Sequence, residues 1–175
     1  TTFTADPTRC TYEYTVWNVK EKRTIEKRKV SKEYQELTTE EKGPGGCTPC
    51  KEDQVAVALS NGLEFHACRM FAKKLKNTLE TALTKGQAIV SVVGYRAQMS
   101  RGPIDNMGNR TQLSNHAFGA AIDVNESHNG LYSECYAWSP KCVLRKGGKY
   151  TPGHKLSLFK KSPLVVEFEK INLRW

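Results

Sequence analysis

Residues 114–125 read SNHAFGAAIDVN, and they bring one histidine and one aspartate, His116 and Asp123, into a short segment of small and apolar residues. An imidazole and a carboxylate both suit zinc, which accepts nitrogen, oxygen and sulfur donors. Along one extended strand the two residues would lie about 23 Å apart, so they can meet only if the chain turns between them. Gly119 permits such a turn. By residue chemistry alone, however, a lone His with a lone Asp is more often a hydrogen-bonded pair than two metal ligands.

The length and composition are typical of a globular domain. The chain has 175 residues, of which 38% are hydrophobic and 26% are charged, which suits one domain or one domain with a small appendage. No run of about 18 apolar residues is present, so we expect no membrane span. The chain opens with the polar sequence TTFTADPTRC, in which no signal peptide is visible. One interpretation is a mature form from which an export signal has been removed.

The formal net charge of +9 favours acidic partners, whether nucleic acid, an anionic membrane or an anionic cell-wall polymer. Much of the positive charge lies in residues 20–29, where acidic residues are interspersed, and we interpret this run as the solvated face of a strand or loop. The run lacks the regularly placed aromatic residues of a single-strand binding platform. We therefore expect no nucleic-acid partner.

The six cysteines predict disulfides. An even number at this density is typical of an oxidising compartment and allows up to three bridges, whose pairing the sequence leaves open. Two alternatives concern Cys47 and Cys50, whose spacing also occurs in zinc knuckles and redox motifs. No well-spaced second ligand pair accompanies them, and the Gly and Pro of residues 43–46 predict a loop rather than a strand–helix context. Structural disulfides are the favoured interpretation.

The first part of the chain predicts a β-hairpin. Residues 10–19 alternate in the manner of a strand, and residues 24–37 do so more weakly, with a charged turn between them. We place a domain boundary at residues 43–46, where Gly and Pro break the pattern.

Beyond that boundary the period changes to that of helices. Apolar residues recur at helical spacing over residues 55–83, with Gly62 between two predicted helices and Gly86 as the cap of the second. The remaining segments are predicted as strands at 88–93 and 120–124, loops at 99–112 and 135–154, and a strand or helix at 164–173.

Residues 114–125 resemble the sequence signature of a family of metallopeptidases. This segment is similar to that of the zinc D-alanyl-D-alanine carboxypeptidases and peptidoglycan endopeptidases of the VanY, VanX and L-alanoyl-D-glutamate peptidase type, which share their fold with the Hedgehog signalling domain. The five matching positions are Ser114, His116, Gly119, Ala121 and Asp123. Upstream, Gly94-Tyr95-Arg96 resembles the Gly-Tyr-Arg segment of that family. The resemblance covers residues 60–125 and, more weakly, 164–175, but neither the hairpin nor residues 126–154.

The resemblance implies roles for four residues. His116 and Asp123 would be the first two zinc ligands, and Ser114 would support the metal loop by hydrogen bonding. Arg96 would hold and polarise the substrate carbonyl while water attacks, and zinc would lower the pKa of that water. The alternative for Arg96 is a salt bridge to a loop acid such as Asp105.

The third zinc ligand of this family, a histidine near the C-terminus, has no counterpart before the chain ends at Trp175. Three explanations stay open. The chain lacks its C-terminal segment, or an internal histidine substitutes, with His154 preferred over His128 and His66, or the protein is a degenerate binding module. The acidic candidates for a general base also lack the family's spacing to a following histidine: Glu126, Glu167 and Glu169.

Together these observations predict an α+β fold, with a small antiparallel sheet, helices on one face and disulfides. Residues 1–46 are predicted to form an N-terminal β-hairpin extension, and residues 47–175 a peptidase-like domain whose C-terminal segment lies beyond the chain.

The predicted function is zinc-dependent hydrolysis of a peptide bond in peptidoglycan stem peptides, by a carboxypeptidase or endopeptidase. The predicted location is secreted, periplasmic or cell-wall associated. The alternative is a non-catalytic cell-wall or protein-binding module of the same fold. A disulfide-rich nucleic-acid binder is supported by charge alone.

Overall fold

The computed structural model of the protein describes residues 8–133, 135 and 138–174. Over these residues the strands are β1 Arg9–Asn18, β2 Arg23–Glu33, β3 Gln54–Ala58, β4 Glu64–Cys68, β5 Val92–Val93, β6 Gln98–Ile104, β7 Arg110–Leu113, β8 Asp123–Val124, β9 Leu131–Ser133 and β10 Val143–Lys146. The α-helices are α1 Arg69–Thr84 and α2 Pro163–Lys170. Short 3-10 helices occupy Tyr34–Glu36, Thr39–Glu41, Pro44–Gly46, Lys51–Asp53 and Asn115–Phe118.

The chain divides into two compact units. Unit 1 comprises the residues up to 57 together with 65–73 and 94–122, and unit 2 comprises 58–64, 74–93 and 123 onward. Each unit is therefore assembled from separate stretches of sequence. The division predicted at residue 46 remains a prediction.

Unit 1 contains a four-stranded sheet in the order β2-β1-β6-β7. The β1–β2 and β6–β7 pairs are antiparallel, whereas β1 runs parallel to β6 through Thr15–Gln98 and Val16–Met99. The alternation that predicted β1 has a clear cause, because every second side chain from Cys10 to Val16 is buried in the core. The neighbouring strand β2 lies at the edge of the sheet. It contains most of the charged run, whose side chains are mostly exposed, as predicted.

Two disulfides fix unit 1. Cys10 is bonded to Cys50 and Cys47 to Cys68. The two cysteines of the Cys-x-x-Cys pair therefore have different partners, and this pairing leaves no thiolate for zinc or redox exchange at that motif. In unit 2 a third disulfide joins two cysteines separated by seven positions, Cys135 and Cys142.

Two segments differ from the sequence prediction. The helix expected before Gly62 is a β-hairpin, β3–β4, because its β-branched residues alternate and Gly62, at φ +87°, forms the turn. The loop expected at 99–112 is the β6–β7 hairpin, whose Gly and Pro lie at irregular pairs rather than ending the strands.

The second predicted helix is confirmed as α1. It buries Leu75, Leu79 and Ala82 on one face and ends before Gly86, which has φ +84° and donates its N–H to the Leu83 carbonyl.

In unit 2 the structure decides the ambiguous C-terminal segment in favour of a helix. Pro163 begins α2, where its missing N–H costs nothing, and Leu164 and Val165 are each 1% exposed. The predicted strands at 88–93 and 120–124 shrink to the two-residue pairs of β5 and β8. The expected loop at 135–154 contains β10, which pairs with β9.

The described residues form an α+β fold with small antiparallel sheets, two helices and three disulfides, which confirms the predicted class. The parallel β1–β6 pair was not predicted. In the described part of the chain, neither helix is long and apolar enough to cross a membrane.

Candidate metal and substrate site

The segment Gly94-Tyr95-Arg96 is held by hydrogen bonds on both sides in unit 1. The Tyr95 N–H donates to the His66 carbonyl at 2.7 Å, and the Arg96 N–H donates to the His116 carbonyl at 3.1 Å. Burial raises the pKa of Tyr95 to about 12, so its hydroxyl stays protonated and donates to the Pro49 carbonyl at 2.7 Å. Arg96 and His116, two of the residues predicted for the site, are therefore joined through their backbones.

The ring of His116 has a defined orientation. Its Nδ1 lies 2.9 Å from the Gly94 carbonyl oxygen. Because a carbonyl can only accept, Nδ1 must carry the proton, which leaves the lone pair of a neutral ring on Nε2. A backbone carbonyl that fixes the tautomer in this way is the usual companion of a metal-ligating histidine. The half-buried His116 is thus suited to bind a metal through Nε2.

The turn that carries His116 depends on Gly119. This glycine follows the 3-10 helix Asn115–Phe118 with φ +63°, and its N–H donates to the His116 carbonyl at 3.1 Å. Its own carbonyl accepts from the Cys68 N–H at 3.0 Å. A Cβ here would lie 2.0 Å from Gln54 Oε1 and 2.4 Å from the Cys68 nitrogen. The glycine in the signature is therefore required by both conformation and space.

A disulfide anchors the same turn. Phe118, 6% exposed, packs in one cluster with Cys47 and Cys68, and Phe71 is among the residues that pack against this cluster. Opposite its ring, a Cβ on Gly43 would lie 2.4 Å from Phe118 Cγ. The 3-10 helix bearing His116 thus rests on the Cys47–Cys68 bridge, a link that the sequence did not indicate.

Ser114 precedes this helix and is 8% exposed. It takes the N-cap position, and its carbonyl accepts from the Ala117 N–H at 2.9 Å. Within the described residues its hydroxyl makes no capping hydrogen bond. The structure therefore gives Ser114 a backbone role in the turn, and its predicted support of a metal loop remains a prediction.

The alternative partner suggested for Arg96, Asp105, serves its own loop. Its carboxylate accepts from the backbone N–H of Met107 at 2.9 Å and of Asn109 at 2.8 Å. The Asn109 N–H is the main cause that holds the pKa of Asp105 below its usual value. This carboxylate closes the β6–β7 turn.

Asp123 lies in unit 2, at the start of β8, where it pairs with Val93 and is half-buried. Two residues later, Asn125 is fully buried with φ +50°. Its Oδ1 accepts from the Val90 N–H at 2.9 Å, and its Nδ2 donates to the Ala88 carbonyl at 2.9 Å. Asn125 thereby fixes the end of the strand that begins at Asp123. The sequence reasoning missed it, although an Asn after a short strand is a signal for a left-handed position.

The substitute ligand His154 has a different environment in unit 2. Its ring stacks on His128 with centroids 4.2 Å apart, and its Nδ1 accepts from the Leu156 N–H at 3.2 Å. A neutral ring that accepts through Nδ1 carries its proton on Nε2, the opposite of His116. The third candidate, His66, is exposed on β4.

One group of three ligand-type atoms lies within 4.8 Å among the described residues: Cys10, Cys50 and Glu52. The two sulfurs form a disulfide, and Glu52 accepts from the Thr11 N–H at 2.9 Å. This group is therefore a structural link and offers no thiolate to a metal. It includes none of the histidines or the aspartate predicted for the site.

Glu167, considered as a general base, is tied down. Its Oε1 accepts from Lys170 Nζ at 2.8 Å and also from Lys85 Nζ. These two hydrogen bonds, with Lys170 the stronger influence, hold the pKa of Glu167 below its usual value. A carboxylate stabilised in this way is a weak proton acceptor. Its contacts indicate that it fastens α2 to the end of α1.

A cleft of about 580 Å³ in unit 1 lies elsewhere than on the predicted residues. Its lining includes Tyr12, Lys32, Glu41, Met99 and Phe118, but not Arg96, Ser114 or His116. Glu41 accepts from both the Tyr12 hydroxyl and Lys32 Nζ. These three polar side chains of the cleft are therefore hydrogen-bonded to one another.

Comparison with known proteins finds a similarity in the second part of the chain. A family model described as D-alanyl-D-alanine carboxypeptidase matches residues 107–175. The match contains His116 and Asp123, excludes Arg96, and runs through residues 126–154, which the sequence resemblance had left out. No curated protein and no solved structure matches the chain. Over residues 107–175, this chain is therefore similar to the D-alanyl-D-alanine carboxypeptidase family.

Proposed function

We propose that the protein is a zinc-dependent peptidase that hydrolyses a peptide bond in peptidoglycan stem peptides. The observation that carries this proposal is the orientation of the His116 ring, whose Nδ1 lies 2.9 Å from the Gly94 carbonyl oxygen, as is usual for a metal-ligating histidine. The similarity of residues 107–175 to the D-alanyl-D-alanine carboxypeptidase family supports the reaction class. The disulfides support a location outside the cytoplasm, in a secreted, periplasmic or cell-wall-associated protein.

In this proposal His116 Nε2 and the Asp123 carboxylate hold the metal, a donor set that fits zinc. Bound zinc supplies Lewis-acid chemistry, polarising the scissile carbonyl and acidifying water. Gly94 fixes the ring of His116, and Gly119 fixes the backbone that carries it.

In this proposal Arg96 binds the substrate. Its backbone N–H is bound to the His116 carbonyl, so the start of its side chain has a fixed position relative to that turn. A guanidinium stays protonated at any working pH and offers several N–H donors. We assign it to the carbonyl oxygen of the substrate, where negative charge grows as water attacks.

The test is the zinc content of the full chain, measured by plasma mass spectrometry after gel filtration in zinc-buffered solution, with hydrolysis of a stem peptide as the second readout. H116A and D123A should lose zinc, whereas R96A should keep zinc and lose hydrolysis. H154A is the matched control, and we expect it to keep both. Zinc retained by both H116A and D123A would refute the assignment.

A second candidate is a non-catalytic module that binds peptidoglycan or a protein. The observation in its favour is that the one three-donor group in the described residues contains neither His116 nor Asp123. Zinc-free protein that binds peptidoglycan fragments and leaves them intact would support this candidate over the peptidase.

A further inference from the structure

The β9–β10 hairpin of unit 2 presents aliphatic and cationic side chains on one face. Paired residues share a face, so the pairs Leu131–Lys146 and Ser133–Val143 lie on the same side of the hairpin. Arg145 joins them, because its Nε donates to Ser133 Oγ at 2.6 Å. These five residues define the outer face. Leu131 is 66% exposed and Val143 is 42% exposed, and the two cations are also exposed.

The other face of the hairpin carries an aromatic cluster and Leu144, which pairs with Tyr132 and is 40% exposed. The Tyr132 ring packs edge-on against Trp138, with centroids 5.1 Å apart, and Trp138 packs against Tyr150 at 4.6 Å. The Tyr150 N–H also donates to the Tyr132 hydroxyl at 2.7 Å. This aromatic cluster gives the hairpin a fixed inner side, so the aliphatic residues of the outer face cannot be buried by turning the hairpin over.

The hairpin is also fastened at its base. The Gly130 N–H donates to the Gly148 carbonyl at 2.9 Å, and the Gly148 N–H donates to the Glu126 carbonyl at 2.8 Å. The Cys135–Cys142 disulfide links its two arms beyond the paired residues. The outer face therefore belongs to a hairpin that is fixed at its base by backbone hydrogen bonds, across its arms by the disulfide, and on its inner face by the aromatic cluster.

The charge of this region selects the partner. Residues 131–149 contain four Lys or Arg and one Glu, so an anionic surface is favoured. An anionic polymer would need only the cations. It leaves the exposed Leu131 and Val143 without a partner. Exposed aliphatic side chains beside Lys and Arg are the composition of a surface that lies in a membrane interface.

We propose that the outer face docks on the surface of an anionic lipid bilayer. Leu131 and Val143 enter the headgroup region, while Arg145 and Lys146 contact the lipid phosphates. The two groups of residues make separable contributions, apolar and electrostatic. None of these residues belongs to the site assigned above, so the proposal does not depend on the peptidase.

The experiment is co-sedimentation of the full chain with vesicles of phosphatidylglycerol and phosphatidylcholine, beside vesicles of phosphatidylcholine alone. R145Q/K146Q should weaken partitioning about twenty-fivefold, since each cation near an anionic surface contributes about fivefold. L131S/V143S should weaken it by about tenfold without changing the net charge. Circular dichroism and zinc content check that each variant is folded and separate a failure here from a failure of the metal site.

The matched control is K73Q/K76Q, which removes two exposed cations from α1 and should change partitioning less than about threefold. Equal weakening by the control would reduce the effect to net charge and overturn the proposal. So would wild-type binding by L131S/V143S, no binding to the anionic vesicles, or binding to inorganic polyphosphate in place of vesicles.

Discussion

Gly119 is the residue at which one added methyl group tests the geometry of the site most directly. The chain has φ +63° there, and the new Cβ would lie 2.0 Å from Gln54 Oε1 and 2.4 Å from the Cys68 nitrogen. Gln54 cannot swing away freely, because its Nε2 donates to the carbonyls of Thr48 at 3.0 Å and Cys50 at 3.3 Å. The backbone of Cys68 is held by the Cys47–Cys68 disulfide. G119A must therefore displace the turn that carries His116.

The free energy of this change has two parts. A residue other than glycine in the left-handed region costs about 1–2 kcal/mol. Forcing a methyl group into a packed site costs a further ~1–3 kcal/mol. G119A should thus lower the free energy of unfolding by about 2–5 kcal/mol. The matched control is G62A, at φ +87° with no atom within 4 Å of the added Cβ, which should show the conformational cost alone.

The assay is urea unfolding of the wild type, G119A and G62A, with zinc affinity measured on the same samples. The difference between the two variants, about 1–3 kcal/mol, isolates the close approach of Gly119 to Gln54 and Cys68. We also expect weaker zinc binding by G119A and unchanged binding by G62A, since the first displaces His116. Equal destabilisation by the two substitutions would refute the reasoning from this contact.

Two further predictions concern stability. Replacing the Cys10–Cys50 pair by alanine should cost about 4 kcal/mol and the Cys135–Cys142 pair about 2 kcal/mol in urea unfolding, because the first closes 40 positions and the second seven; equal costs would contradict the loop-closure reasoning. Because the folded pKa of Glu167 is lowered from 4.5, its contribution is present above that pH and is lost as the pH falls through the folded pKa. E167Q should therefore flatten the acid side of the stability–pH profile, and an unchanged acid side would contradict this.

The sequence predicted those elements whose pattern has a single cause. Strand β1 could be recognised because one of its faces is buried throughout, from Cys10 to Val16, so the alternation of its residues is strict. Helix α1 could be recognised because Leu75, Leu79 and Ala82 lie on one buried face.

The secondary structure of β3 and β6 was predicted wrongly for the same reason, because the local sequence pattern of each strand also fits another structure. Apolar residues at 55, 59 and 63 fit a helix, yet Val57 and Leu59 are buried with the exposed Ala58 between them, as in a strand. In β6, Gly102 and Pro103 resemble loop residues, but pairing with β7 accommodates them at irregular positions. Such pairings depend on partners distant in sequence, which no local pattern contains.

The candidate site also combines a local sequence pattern with contacts between residues that are distant in sequence. The signature residues around His116 lie within ten positions, so the sequence could indicate them. What makes the ring of His116 a suitable donor is the Gly94 carbonyl, 22 positions earlier, and what holds its turn is Cys68, 48 positions earlier. The residue that supplies this carbonyl must be a glycine, because a Cβ on Gly94 would lie 2.2 Å from the backbone carbonyl oxygen of His66 on β4. The glycine of Gly-Tyr-Arg thus serves the histidine of the signature, and the two motifs act as one unit.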